Sequence, residues 1–205
     1  MQNLIVRMAI AHAHFEAVHP FMDGNGRVGR LLIPLMMVVD NKVPLYLSSY
    51  IDAHKNAYYE ALKEAQQRLR WDAMVGFFSD AVVGTVNELL ATRAALKKLH
   101  EVWLTKRKFR QKSASIQALE ILPHYPVLTV NRLATLLGVT FAQASKAIKQ
   151  LVEVGIVTER TGYSRNRVFV AADVLAIINR PFGDIPIVPT DTEETGHDEN
   201  NRFSL

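Results

Sequence analysis

The stretch HPFMDGNGRVGR, residues 19–30, is the feature that most restricts this chain. Pro20 and the glycines Gly24, Gly26 and Gly29 interrupt what would otherwise be one long helical pattern, so the N-terminal part must fold as helix, loop, helix. Before the break, Leu4, Met8, Ala11 and Phe15 recur at helical spacing, with Ile5 and Val6 widening the face. After it, a second helix is predicted from Asn25 or Gly26 to about Asp40, kinked at Pro34. Residues 41–44 read as a turn. Residues 48–67 read as one helix, with Tyr58, Ala61, Leu62 and Ala65 on one face. A long helix is predicted from Trp71 to about Lys108, apolar at Phe77, Phe78, Ala81, Val82, Leu89 and Leu96, with a basic end that bridges to a second domain.

Beyond residue 112 the rhythm changes. Residues 113–122 predict a short helix ended by Pro123 and Pro126. Residues 129–139 and 140–155 each begin at a threonine suited to capping and end at or beside a glycine, Gly138 and Gly155. Two short helices joined across a Gly-Val-Thr turn suggest a helix-turn-helix, and residues 156–171 read as two β-rich segments around a polar turn, a wing. The expected fold class is therefore mainly α: a helical core, then a winged helix-turn-helix domain with a small β-wing. No internal repeat is visible.

Charge follows the same partition. Residues 1–105 carry 11 Lys and Arg against 10 Asp and Glu, residues 106–180 carry 12 against 4, and residues 181–205 carry 1 against 6. A near-neutral segment, a basic segment and an acidic extension predict domains over 1–108 and 109–180 and a disordered acidic tail over 181–205. The absence of cysteine among 205 residues excludes a disulfide scaffold, a cysteine nucleophile and a thiolate metal site. No apolar run approaches the roughly 20 residues of a membrane span, and the N-terminus lacks the pattern of a signal peptide. The expectation is a soluble cytoplasmic protein with no membrane partner.

The loop carries the candidate chemistry. Glycines let backbone N–H groups approach a ligand closely, and a glycine-rich turn feeding a helix N-terminus is a ready anion site. Arg27 and Arg30 follow in the first two turns, where cations oppose the helix dipole, so a docked anion of several charges accounts for both. A polyphosphate is the obvious candidate. Asp23 suits a divalent cation bridging it to the phosphates, and His19 exchanges a proton near neutral pH. Taken singly each feature has a plainer explanation: a histidine before proline in a turn, Gly-Asn-Gly as a turn, an arginine pair on a solvated helix face, Asp23 as a cap. One ligand explains all of them together.

HPFMDGNGRVGR resembles the defining motif of the Fic family, His-Pro-Phe-x-Asp/Glu-Gly-Asn-Gly-Arg-x-x-Arg, at every fixed position. The upstream run HAHF and the pair Tyr58-Tyr59 also resemble the family, and the likeness covers roughly residues 1–105. It implies transfer of AMP from ATP to a hydroxyl side chain of a target protein, Ser, Thr or Tyr, with pyrophosphate released. By the same resemblance His19 is the base, Asp23 holds Mg²⁺, Gly24, Asn25 and Gly26 form the anion hole with Asn25 near the α-phosphate, Arg27 and Arg30 bind the β- and γ-phosphates, and Phe21 is buried and orients the loop. Tyr58 and Tyr59 either line the adenosine side or are core aromatics. A Doc-like kinase carries lysine where this chain has Gly26, which favours nucleotidyl transfer, with UTP or GTP left open beside ATP. A winged helix after the core is a common arrangement in bacterial members.

Relatives in that family place a β-hairpin flap and further helices before the motif, whereas 18 residues precede His19 here, so the sequence is expected to be a fragment or truncated and its activity impaired. The family's inhibitory pattern, Ser/Thr-x-x-x-Glu-Gly/Asn, matches only at residues 195–200, with Glu199, in acid-rich text that produces such matches easily. The chain is expected not to be self-inhibited through its N-terminus. The basic second domain has two readings: DNA binding through Thr140, Gln143, Lys146 and Lys149 with Arg160, Arg165 and Arg167 flanking the wing, or protein docking, homodimerisation included. The competing function is therefore a DNA-binding transcriptional regulator whose first domain is degenerate or only senses nucleotide.

Overall fold

The computed structural model of the chain describes residues 3–162 and 166–189. The extension at 190–205, with Glu199, and the tip of the expected wing, with Arg165, lie outside the described residues. The architecture is mainly α, as expected, with one small sheet. The described residues divide into two units, up to residue 91 with 181–184, and from residue 92 to 180 with the residues that follow 184.

In the first unit, α1 (Leu4–Val18) begins where the Asn3 side chain accepts a hydrogen bond from Ile5 N at 2.9 Å. Its buried residues are Met8, Ala9, His12 and Ala13, so the inward face is turned from the predicted one. Helix α1 packs against α2 (Asn25–Val39). That helix continues through the buried Pro34, which has no N–H to donate to the carbonyl of Arg30. The helix predicted over 48–67 is two, α3 (Ser48–Ala53) and α4 (Lys55–Arg68). The break is at His54, whose backbone leaves helical geometry at φ −119° and ψ 37°. Its Nδ1 meets the Tyr50 carbonyl at 2.9 Å and its ring stacks on the Tyr50 ring at 4.1 Å. Those contacts offset the lost helical turn. The core of this unit gathers Met8, Ile33, Met37, Ile51, Ala61, Met74 and Phe78.

Helix α5 runs Asp72–Lys106, close to its predicted span. By length and composition alone it is apolar enough to cross a membrane, which corrects the expectation that no run approaches that length. The same apolar residues have packing roles: Met74, Phe77, Phe78 and Ala81 enter the first core, and Ala95, Leu99 and Trp103 the second.

In the second unit, α6 (Ala114–Ile121) is capped by Ser113, α7 (Val130–Leu137) by Thr129, and α8 (Phe141–Glu153) by Thr140. Gly138 closes α7 in the left-handed region at φ 64°, a conformation glycine adopts without strain. The strands β1 (Val127–Thr129), β2 (Thr158–Glu159) and β3 (Val168–Val170) form an antiparallel sheet in the order β1-β3-β2, with Leu128 opposite Phe169 and Glu159 also opposite Phe169. Helix α9 (Ala172–Ile178) follows. Neither β1 nor α9 was expected from sequence: three residues that follow Pro126 and end on a capping threonine are too few to show alternation, and seven nearly all-apolar residues show no period. Leu119, Leu122, Leu133, Leu151, Ile156 and Trp103 are fully enclosed in this core.

Candidate active site

The loop is framed by the end of one helix and the start of the next. Helix α1 stops at His19, which adopts a left-handed conformation at φ 49°, ψ 57° while its N–H still donates to the Phe15 carbonyl at 3.0 Å. A non-glycine residue there bears a cost of roughly 1–2 kcal/mol. The following Pro20 disfavours helical geometry at His19, so the chain must turn away from the α1 axis. The His19 side chain is exposed.

At the other end, Gly24 is the N-cap of α2 at φ 82°, again left-handed. Its carbonyl accepts from Arg27 N and Val28 N at 3.1 and 3.0 Å. The N–H groups of Asn25 and Gly26 have no carbonyl a turn earlier to meet, which leaves them open to an anion. Two guanidinium groups fold back toward this end. A Cβ built on Gly24 would lie 3.4 Å from Arg27 Nη2, and one on Gly26 would lie 3.8 Å from Arg30 Nη1. Both spacings are ordinary van der Waals contact, so the guanidinium groups lie against the backbone of these glycines without either needing to be glycine for space; Gly24 is favoured by its left-handed φ. Asp23 accepts from Gly24 N at 2.6 Å and pairs with Arg27 at 3.4 Å. With Asp23 93% and Arg27 76% exposed, that pair contributes little to stability. Its carboxylate is open to solvent for another partner.

Asn25 does something the sequence did not show. It is 2% exposed, and its side chain clamps the backbone of Phe21: Nδ2 donates to the Phe21 carbonyl at 2.6 Å and Oδ1 accepts from the Phe21 N–H at 2.9 Å. The amide thereby sets the loop's shape, and what it turns toward a ligand is its backbone. Phe21 itself is corrected. It is 50% exposed, not buried, and its ring touches only the edge of the fold, 6.2 Å from Phe15. The loop is oriented through Phe21's backbone and not through burial of its ring.

The two tyrosines part company. Tyr58 is buried in α4, in ring contact with Phe77 at 5.7 Å. Tyr59 is 61% exposed. Tyr58 reaches the loop's supports through His12, which in the sequence stood out only as the first residue of the run HAHF, with no role attached. His12 is 1% exposed, its Nδ1 lies 3.0 Å from the Gly29 carbonyl and its Nε2 lies 2.8 Å from the Tyr58 hydroxyl. A carbonyl only accepts, so Nδ1 carries the hydrogen and Nε2 accepts from Tyr58. His12 therefore ties α1 to α2 at the residue before Arg30, and both to α4. Gly29 sits inside α2, not in the loop. A Cβ there would meet Glu16 Oε1 at 2.3 Å, Phe15 at 3.2 Å and His12 at 3.3 Å, so this glycine serves helix contact. The buried Glu16 Oε1 makes no hydrogen bond and lies 4.0 Å from His12 Nε2.

Burial pushes the His12 pKa below its usual value, against the bond to Gly29 and the field of Glu16, which raise it. Burial likewise raises that of Tyr58. The sign for stability follows. A histidine held neutral in the fold takes up a proton more readily when unfolded, so acid favours unfolding. Its contribution is complete above about pH 6.5 and is lost as pH falls below that through the depressed folded value. Urea unfolding at pH 7.5 and 5.5 is expected to show a larger acid-induced loss for the wild type than for His12→Gln. Equal losses would mean that another group governs the acid response.

Fold and loop together define a helical protein with an open helix N-terminus, flanked by two arginines, that follows closely on a histidine. Residues 1–37 match the Fic/DOC family. The chain is 35% identical over 65 residues to a probable protein adenylyltransferase of Aquifex aeolicus, and 44% identical over 61 residues to the protein adenylyltransferases fic-1 of Caenorhabditis elegans and Caenorhabditis briggsae. These matches take in 32% and 30% of this chain and 19% and 11% of the relatives, so the chain spans only a small part of their length.

Proposed function

We propose that this chain transfers AMP from ATP to a hydroxyl side chain of a target protein. The observation that carries the reading is the arrangement of Arg27 and Arg30 beside the open N-terminus of α2, a few residues after a solvent-accessible histidine. His19 takes the proton of the target hydroxyl. The hydroxyl oxygen forms a bond to the α-phosphorus, the bond from that phosphorus to the oxygen bridging to the β-phosphate breaks, and pyrophosphate leaves with the electron pair. The N–H groups of Asn25 and Gly26 hold the α-phosphate oxygens as charge develops on them. Arg27 and Arg30 hold the β- and γ-phosphates and so fix the line of attack. Tyr59 is exposed on α4 and is the one of the two tyrosines left to meet a nucleotide; Tyr58 acts from behind through His12.

Among the described residues no three acidic or histidine side chains gather to cage a metal. The single carboxylate of Asp23 fits Mg²⁺ that takes most of its coordination from phosphates and water. Bound there, Mg²⁺ supplies charge neutralisation on the phosphates, and Asp23 is the residue that holds it.

The second unit reads as a winged helix, supported by the order α6, β1, α7, α8, β2, β3 and by the antiparallel β1-β3-β2 sheet. In α8, Thr140 and Gln143 cap the helix reciprocally, so of the four side chains expected to meet DNA, Lys146 and Lys149 are the two left uncommitted.

Labelled ATP with magnesium is expected to leave label on the protein itself or on an added target extract. No label with either would overturn the reading. Calorimetry refines it: Arg30→Ala is expected to weaken ATP binding more than AMP binding. Equal losses would place Arg30 away from the terminal phosphates.

A further inference from the structure

The second unit holds a cleft of about 780 Å³. It lies between the segment joining α5 to α6, the first turn of α6 and one side of α8. Arg107, Lys108, Arg110, Lys112 and Lys146 line it, and no Asp or Glu does. Arg107 is paired with Glu153 at 2.8 Å. Among the described residues Lys108, Arg110, Lys112 and Lys146 have no carboxylate partner, and all four are exposed. Like charges gathered in a concave surface repel one another, and the low-dielectric walls focus their potential outward. A polyanion relieves that repulsion.

The shape of the cluster selects among polyanions. The segment 106–112 reads KRKFRQK, with five cations in seven residues. They follow one another along a single segment at one edge of the cleft, so they suit a row of phosphates better than one compact phosphate group. The strip is held in place. Lys112 takes the left-handed region at φ 56°, turning the chain into α6, and Ser113 caps that helix. Ser115 of α6 donates to Gln150 Oε1 of α8 across the cleft. Lys149, also exposed on α8, carries the positive surface on from Lys146.

We propose that this cleft binds the phosphate backbone of duplex DNA, with the 106–112 strip as a second line of contact beside α8. Helix α8 and the strand pair are then not the whole nucleic-acid surface of this unit: the segment between α5 and α6 is part of it. The proposal is independent of nucleotidyl transfer, which the label assay measures separately.

The test is fluorescence anisotropy with a DNA duplex of about 20 base pairs, two helical turns, titrated between roughly 50 and 200 mM salt. Each phosphate contact contributes about −0.9 to the slope of log affinity against log salt. The triple variant Lys108→Gln, Arg110→Gln, Lys112→Gln is expected to make the slope shallower by about 2.7 and to weaken binding roughly 500-fold at about 0.1 M salt. Its helical circular dichroism should match the wild type, since the three side chains are exposed. A control removes the same charge from the first unit: Lys42→Gln, Lys55→Gln, Lys63→Gln. It is expected to leave slope and affinity close to the wild type. The proposal is overturned by absence of duplex binding at low salt, by an unchanged slope in the cleft variant, by an equal loss in the control, or by tighter binding of polyglutamate than of DNA.

Discussion

His19→Ala is expected to lower AMP transfer by about 10²–10⁴-fold, the usual range for removing a general base. The dissociation constant for ATP should barely move. On the proposed reading the α2 N-terminus, Arg27 and Arg30 hold the phosphates, and the His19 side chain makes no hydrogen bond to that terminus among the described residues. Its contribution to the loop is its backbone, which donates to the Phe15 carbonyl and turns left-handed. Alanine makes the same backbone bond, at a cost of order 1 kcal/mol for the left-handed geometry that histidine already bears. The pair of measurements is therefore diagnostic: a variant that binds ATP and fails to transfer supports the role, and one that transfers like the wild type removes it. A variant that loses nucleotide binding and transfer together would assign His19 to binding.

Trp103→Ala is expected to cost about 3–5 kcal/mol, the range for deleting a buried tryptophan side chain. Total stabilities are roughly 5–15 kcal/mol, so this one change threatens the second unit. Trp103 is fully enclosed, in one cluster with Leu99 of the same helix and with Leu119, Leu122 and Leu133. Its truncation leaves a large cavity in a core of rigid neighbours. Trp103→Phe should cost much less, because the ring volume is mostly kept and the indole Nε1, buried without a hydrogen-bond partner, is removed. Urea unfolding followed by circular dichroism measures both. Equal losses for the two would argue that the indole nitrogen, and not the packing, is what matters at this position.

Much of the site's framework was legible because it is local. The helix starts at Asn25, near Ala114, at Val130 and at Phe141 were anticipated from residues within four positions of each start, and the structure shows Ser113, Thr129 and Thr140 accepting from backbone N–H groups three residues on. The left-handed glycines Gly24 and Gly138 sit where the pattern placed a loop and a helix end. The geometry of the arginines relative to Gly24 and Gly26 also spans only three or four residues. Such interactions depend on the backbone's own hydrogen bonds and sterics, which the nearby sequence determines almost alone.

What escaped the sequence joins residues far apart or depends on which face turns inward. Nothing near His12 announces that its ring will meet a carbonyl 17 residues away and a hydroxyl 46 residues away. Tyr58 stood open between nucleotide and core until α4 was seen to bury it. Phe21 was expected inside from the family resemblance, yet the clamp from Asn25 orders the loop without burying the ring. Strand β1 exists because β3 supplies its hydrogen-bond partners. By itself the sequence determined where α2, α6, α7 and α8 begin and that a glycine-rich loop separates α1 from α2. The tertiary structure decided which polar side chains support that loop from within and which cations of the second unit share one cleft, because burial and charge crowding are properties of neighbours in space, and the chain order does not state them.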